Sequence, residues 1–114
     1  MINEKNDSQK YAEFIRDEIR SIYDGSTEEL NDDGDAKSVY DYIACDVLDF
    51  ETIHDSSKEL VGCNLYVTIG GPCCWIDTRN NEVICKWGTD TGRAWLPGEI
   101  AEEINDVMRE MLYC

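Results

Sequence analysis

Residues 60–88, LVGCNLYVTIGGPCCWIDTRNNEVICKWG, decide the predicted fold. The turn signals Gly70-Gly71-Pro72 and Asn80-Asn81 divide this segment into three apolar runs at 60–69, 73–77 and 82–87. Connections this short cannot carry a parallel crossover, so the runs are predicted to form antiparallel strands. A loop at 78–81 would also place Cys74 directly opposite Cys85.

A fourth strand is predicted before this segment, at residues 47–54, where Asp49 and Glu51 alternate with apolar neighbours. Residues 55–58, Asp-Ser-Ser-Lys, form the predicted hairpin turn. A four-residue loop puts Phe50 opposite Cys63 and Leu48 opposite Leu65.

Three helices flank the predicted sheet. The first begins near Gln9 and ends before Gly25, and a short second helix covers 36–45. A C-terminal helix follows Pro97, and residues 88–93 are predicted to be a loop. The apolar stripe of the first helix is Tyr11, Phe14, Ile15, Ile19 and Ile22; that of the last is Ile100, Ile104, Val107, Met108 and Met111. Ser26 and Glu29 resemble a capping box and predict a further helical turn.

The predicted architecture is a single α+β domain over residues 1–114, with a flexible tail at 1–6. It has a four-stranded antiparallel meander with the C-terminal helix packed on one face. The predicted core face carries Leu48, Phe50, Val61, Cys63, Leu65, Val67, Ile69, Cys74, Ile76, Val83, Cys85 and Trp87. The opposite face carries Asp49, Glu51, Asn64, Tyr66, Thr68, Cys73, Trp75, Asp77, Glu82, Ile84 and Lys86. Aromatic rings among carboxylates indicate either a covering segment or a partner surface.

The charge balance restricts the function. Asp and Glu number 25 against 10 Lys and Arg, a formal net charge of -15. This disfavours binding to phosphate backbones or anionic membranes and favours a basic protein partner. The sequence shows no secretory signal and no membrane-spanning run, so a cytoplasmic location is expected. His54 is the only histidine and no nucleophile can be assigned to it by spacing, so the chain is not expected to be an enzyme.

The six cysteines are expected to be reduced thiols or metal ligands rather than disulfides, because the cytosol keeps thiols reduced. Cys73, Cys74 and Cys85 lie close together in the predicted hairpin and are the candidate ligands for zinc. The CxxC spacing typical of zinc sites does not occur. Buried cysteines that pack as small apolar residues are the other interpretation.

The residues GGPCCWIDTR at 70–79, followed by Glu82-Val83 and Trp87-Gly88, resemble a motif in small acidic proteins encoded by phages and mobile elements of Firmicutes. Such proteins are similar in kind to anti-CRISPR proteins that inhibit Cas9-type effectors, some of which imitate the charge of DNA. The resemblance implies a phage-encoded inhibitor in the host cytoplasm. A zinc-binding or other host-protein-binding phage accessory protein is the alternative.

Charge density along the chain selects the candidate binding residues. The carboxylates expected to contact a basic partner are Asp17, Glu18, Glu28, Glu29, Asp32 and Asp33. Tyr66 and Trp75 are the expected apolar anchors, because aromatic side chains dominate many binding energies.

Overall fold

The computed structural model describes residues 7–113, so the predicted tail at 1–6 lies outside the described residues. The helices are α1 (Asp7–Asp24), α2 (Val39–Asp46) and α3 (Gly98–Tyr113), and the strands are β1 (Asp49–His54), β2 (Leu60–Thr68), β3 (Cys73–Asp77), β4 (Glu82–Trp87) and β5 (Asp90–Trp95). The strands form one antiparallel sheet in the order β1-β2-β3-β4-β5. The α+β meander is confirmed, with five strands instead of four.

The fifth strand occupies most of the segment predicted to be a loop. Its inward residues are small: Gly92 and Ala94 are buried while Arg93 between them is exposed. A Cβ atom at Gly92 would lie 2.2 Å from backbone atoms of Ser8 and Gln9, so the strand can carry α1 only if this position is glycine. Small inward residues give no apolar alternation, which is why the pattern predicts a loop.

The helices cover the sheet unequally. Helix α1 packs on β4 and β5, and α3 packs on β2, while α2 contacts both helices. The buried side of α1 consists of Ser8, Ala12, Ile15, Ile19 and Ile22. Tyr11 and Phe14, predicted to face the core, are exposed instead, because the small residues Ser8 and Ala12 continue the inward stripe.

Four residues of the predicted core face are exposed: Leu48, Phe50, Ile69 and Trp87. Helices pack about 8 to 10 Å apart and strands lie about 4.8 Å apart, so two helices cover roughly four strands. β1 therefore extends beyond the covered area, which leaves Leu48 and Phe50 exposed. Ile69 follows the end of β2, and Trp87 is the last residue of β4. The fully buried residues include Cys63, Leu65, Cys74, Ile76, Val83 and Cys85 from the same predicted face.

The predicted pairing of β3 with β4 is confirmed, with Cys74 opposite Cys85. The pairing of β1 with β2 differs by two residues, since Phe50 lies opposite Leu65. One residue of this difference comes from the turn, which is longer than predicted: Asp55 Oδ1 accepts the amides of Ser57 and Glu59, and β2 begins at Leu60. The other comes from an irregularity in the pairing between Ile53 and His54.

The predicted helical turn at residues 26–29 is wrong, since no helix forms there. A capping box instead starts α2, where the Ser38 hydroxyl accepts the Asp41 amide and the Asp41 carboxylate accepts the Ser38 amide. In the described part of the chain, no helix has the length and apolar character needed to cross a bilayer.

Candidate partner-binding surface

An open groove of about 410 Å³ lies between the second half of α1 and the loop that follows it. It brings together Asp17, Glu18, Glu28 and Glu29, four of the six carboxylates selected from the sequence. Phe14 stands at one end of the groove with 63% of its surface exposed. We call this groove the first acidic groove.

Backbone contacts fold the loop back onto α1. Gly25 adopts φ +81°, which reverses the chain direction at the helix end. The amides of Ser26 and Thr27 then donate to the Ser21 carbonyl at 3.0 and 3.1 Å. Thr27 Oγ1 also accepts the Glu29 amide at 3.1 Å. These contacts bring Glu28 and Glu29 beside the carboxylates of α1.

A partly buried cation, Lys37, lies beside this groove. Lys37 donates to the Asp46 carboxylate and its Nζ lies 3.9 Å from Glu29, while only 13% of its side chain is exposed. Burial acts to lower the pKa of Lys37, but the hydrogen bond and charge of Asp46 and the charge of Glu29 outweigh it, so the pKa is raised. Lys37 is therefore a fixed positive charge that neutralises only part of the surrounding acid.

Glu18 is the carboxylate most affected by this crowding. Partial burial raises the pKa of Glu18, and the charges of Glu29 and Asp46 raise it further. The charge of Lys37 and the neighbouring Tyr42 side chain act in the opposite direction and lower the pKa of Glu18. The pKa remains raised, so the negative charge of Glu18 is disfavoured, and a cation entering the groove would relieve that cost.

Asp32 and Asp33 lie in an adjacent groove of about 320 Å³. The loop that carries them is fixed by Asn31, whose side-chain oxygen accepts the amides of Asp33 and Asp35 at 2.9 and 3.0 Å. Lys37 contributes to this groove while contacting Glu29 of the first, so the two grooves are neighbours. Together the six carboxylates Asp17, Glu18, Glu28, Glu29, Asp32 and Asp33 form what we call the acidic surface.

Tyr66 and Trp75 do not belong to the acidic surface. They pair across β2 and β3 on the sheet face opposite the helices, with ring centroids 5.8 Å apart. The Tyr66 hydroxyl donates to Glu51 at 2.6 Å. That hydrogen bond raises the pKa of Tyr66 to about 12. Lys86 Nζ lies 5.8 Å from the Trp75 ring centroid, so these aromatics are already partnered within the chain.

The same face buries Ile84, which is only 5% exposed although none of the three described helices packs on that side. Arg93 and Glu82 form an ion pair there at 2.6 Å. The side chains of the sheet therefore cover part of this face themselves. The sequence groups Tyr66 and Trp75 with the carboxylates of α1. In the structure they do not form one contiguous site.

The cysteines are arranged differently from the sequence expectation. Cys74 and Cys85 form a disulfide and are fully buried, so the expectation of reduced thiols is wrong for this pair. The reason is the strand register, which places them opposite each other with Cα atoms 4.1 Å apart. Cys73 lies on the other sheet face, opposite Lys86. Within residues 7–113 no group of three or more His, Cys, Asp or Glu side chains has metal-binding geometry.

Cys63 carries a buried free thiol and lies in a cluster of hydrogen-bonded polar groups. Its amide donates to Thr78 Oγ1 at 2.9 Å, and Thr78 Oγ1 donates to Asn105 Oδ1 at 2.9 Å. Burial raises the pKa of the Cys63 thiol to about 11, so it is not a reactive thiolate at neutral pH. This buried polar cluster ties α3 to the sheet.

Comparison with known proteins identifies no relative. No family model matches the chain, and no curated protein or solved structure matches it significantly. The function must therefore be inferred from the residues and their geometry. Two residues beside the acidic surface are missed by sequence reasoning: Phe14, which lines the first acidic groove, and Lys37, which lines the adjacent groove. The helical pattern assigns Phe14 to the core, and the contacts of Lys37 are tertiary.

Proposed function

We propose that this chain is an interaction protein, not an enzyme, that inhibits a nucleic-acid-binding effector by placing its acidic surface in the basic channel of that effector. The observation that carries the proposal is the first acidic groove. There Asp17, Glu18, Glu28 and Glu29 converge, on a chain with a net charge of -15.

Electrostatics supports this mode of action. Channels that hold nucleic acid are lined with Lys and Arg, which bind the regularly spaced phosphates. A folded surface with closely spaced carboxylates competes for the same cations and associates rapidly at low salt. The loops that carry Glu28 to Asp33 are fixed by backbone hydrogen bonds and by the side-chain oxygens of Thr27 and Asn31, which accept backbone amides. Less conformational entropy is lost on binding when the carboxylates are held in place beforehand.

The proposed partner class is a basic host protein, specifically a Cas9-type nuclease, in the cytoplasm of a bacterial host. The support for this class is the resemblance of residues 70–88 to phage-encoded acidic proteins, together with the charge of the chain. Such nucleases hold a guide-target heteroduplex in a positively charged channel. Direct binding to nucleic acid or to a membrane is not proposed, because the charge of the chain repels both.

An order-of-addition cleavage assay tests this proposal. Added before guide RNA, the chain is expected to block target cleavage; added after the guide is loaded, it is expected to block much less. Raising the salt concentration should weaken the block, because charge attraction is screened. Equal inhibition in both orders and at all salt concentrations would contradict the proposal, and inhibition of no Cas9-type enzyme would remove this partner class.

A further inference from the structure

The two edges of the sheet differ in whether their backbone hydrogen-bonding groups have partners within the chain. At the β5 edge, α1 supplies partners for the backbone: Gln9 bonds both the amide and the carbonyl of Arg93, and Arg16 donates to the Trp95 carbonyl. β1 is paired only with β2, and among residues 7–113 no strand lies on its other side. An open strand edge is a template for a further strand.

An apolar groove of about 310 Å³ lies beside this open edge. Leu48, Asp49 and Phe50 line it on the strand side, and Leu48 and Phe50 are 64% and 46% exposed. The ends of α2 and α3 form the remaining walls, with Ile43, Ala44, Val47, Met108, Met111 and Leu112. Natural proteins usually protect an open edge with charged side chains, and Asp49 and Glu51 supply that charge on β1. The groove beside them is nevertheless apolar and exposed, which indicates a binding role.

The backbone of β1 offers hydrogen-bonding groups at this edge. The Phe50 amide donates to Asp49 Oδ1 at 2.8 Å instead of to β2, so it points away from the sheet. Backbone orientation repeats every second residue of an antiparallel strand, so Thr52 presents its amide and carbonyl on the same side. An incoming strand carbonyl can replace the Asp49 carboxylate at the Phe50 amide. The carboxylate is then free to bind a cation.

The side chains of β1 specify the chemistry of an added strand. Asp49 and Glu51 lie on the sheet face that carries Tyr66 and Asn64, their partners on β2. Phe50 lies on the helix-bearing face together with Leu65. A strand that alternates basic and apolar residues would place each cation next to a carboxylate and each apolar side chain next to the groove.

A second copy of this chain is disfavoured at this edge in the two symmetric registers that centre on Phe50 or Glu51. Two β1 strands paired antiparallel about Phe50 would place Asp49 opposite Glu51 twice, and pairing about Glu51 would place that carboxylate opposite itself. Like charges directly opposite destabilise a strand pair. We propose that the β1 edge binds an extended segment of a partner protein in which Lys or Arg alternates with apolar residues, added as a sixth strand. This site is separate from the acidic surface and does not depend on its function.

Designed peptides test the proposal directly. Three short peptides with capped ends are titrated against the full chain by fluorescence anisotropy. One alternates Lys and Val, one alternates Glu and Val, and the third, the block peptide, has the same Lys and Val residues grouped in blocks. The alternating Lys peptide is expected to bind about tenfold more tightly than the block peptide, because only alternation satisfies both faces. It should also slow amide hydrogen exchange at Phe50 and Thr52.

A charge swap provides the matched variant. Asp49→Lys with Glu51→Lys should transfer the preference to the alternating Glu peptide, and this gain of binding cannot arise from misfolding. Asp17→Lys with Glu18→Lys makes the same charge change on α1 and should leave the preference for the Lys peptide intact. Equal binding of alternating and block peptides, or equal loss in both double variants, would overturn the proposal. Concentration-dependent dimerisation of the free chain through β1 would assign the edge to a second copy and overturn it as well.

Discussion

The side-chain amide of Gln9 bonds both backbone groups of Arg93 on β5. Gln9 Nε2 donates to the Arg93 carbonyl at 2.7 Å, and the Arg93 amide donates to Gln9 Oε1 at 2.9 Å. A side chain of α1 thus makes the contacts that a neighbouring strand would make. This pairing fixes α1, and with it the carboxylates of the acidic surface, relative to the sheet.

Gln9→Ala is expected to lower the free energy of unfolding by about 1–2 kcal/mol, because the side chain loses its two hydrogen bonds to the Arg93 backbone and a third to Glu13. Lys10→Ala is the control, since Lys10 is an exposed neighbour on the same helix and alanine is also a good helix former there. Urea denaturation of both variants measures the difference. Equal stability of the two would show that the Gln9 contacts contribute nothing.

Gly92→Ala should destabilise the chain by roughly 1–3 kcal/mol, as is typical of overpacking. The new methyl group would lie 2.2 Å from backbone atoms of Ser8 and Gln9, which cannot move away as a flexible side chain can. Gly98→Ala is the matched control, because nothing lies within 4 Å of a Cβ atom there. Thermal denaturation checks both, and a neutral Gly92 variant would contradict the packing of α1 on β5.

Glu18→Gln should stabilise the chain slightly at neutral pH. The pKa of Glu18 is raised in the folded state, so its ionised form is disfavoured there. The wild-type chain therefore loses stability as the pH rises from the ordinary pKa of glutamate through the raised pKa of Glu18. Below about pH 4 the wild-type side chain is itself mostly neutral, so the advantage of the neutral glutamine amide should disappear.

The stability of wild type, Glu18→Gln and Asp17→Asn measured across this pH range checks that prediction. Asp17 carries the same charge on the same helix but its side chain is 62% exposed. Its variant should show no comparable gain at neutral pH. A Glu18→Gln advantage that grows towards acid pH would have the wrong sign.

The Cys74–Cys85 disulfide gives a prediction about both stability and metal. Reduction should lower the free energy of unfolding by about 3 kcal/mol, given the short loop that the bond closes. Zinc binding through Cys74 and Cys85 requires their thiolates, so the oxidised chain should hold no zinc at these residues and uptake should require reduction. Thiol mapping by mass spectrometry together with elemental analysis checks this. One zinc per oxidised chain would contradict it.

The sequence predicts the meander because turns and alternation are local properties. Gly70-Gly71-Pro72 and Asn80-Asn81 divide the strands correctly, and the register of Cys74 with Cys85 follows from the turn length. Which strands are covered is a tertiary property. Alternation assigns Phe50 to the apolar face, yet it cannot show that α1 and α3 end their coverage before β1.

The acidic surface is predictable only as a set of charges. Charge density selects Glu28 and Glu29, but their position beside Asp17 and Glu18 depends on backbone amides of the following loop that return to the Ser21 carbonyl.

Tyr66 and Trp75 show the limit of prediction from residue type. Aromatic character alone groups them with the carboxylates of α1 as binding residues. The pairing of β2 with β3 places both rings on the sheet face away from the helices. The strand register therefore decides whether these aromatic residues share a site with the carboxylates. Residue type alone does not determine that register.

Competition with labelled guide RNA for loading onto a Cas9-type nuclease tests the central claim most directly. Each chain is added to the nuclease before the guide. The wild-type chain is compared with Glu28→Lys, Asp32→Lys, Asp33→Lys as one triple variant, and with the matched triple reversal of the exposed α3 residues Glu102, Glu103 and Glu110. We predict that the wild type and the α3 variant block loading of the RNA in a salt-sensitive manner and that the acidic-surface variant does not. Equal blocking of RNA loading by all three chains would contradict the proposed role of the acidic surface.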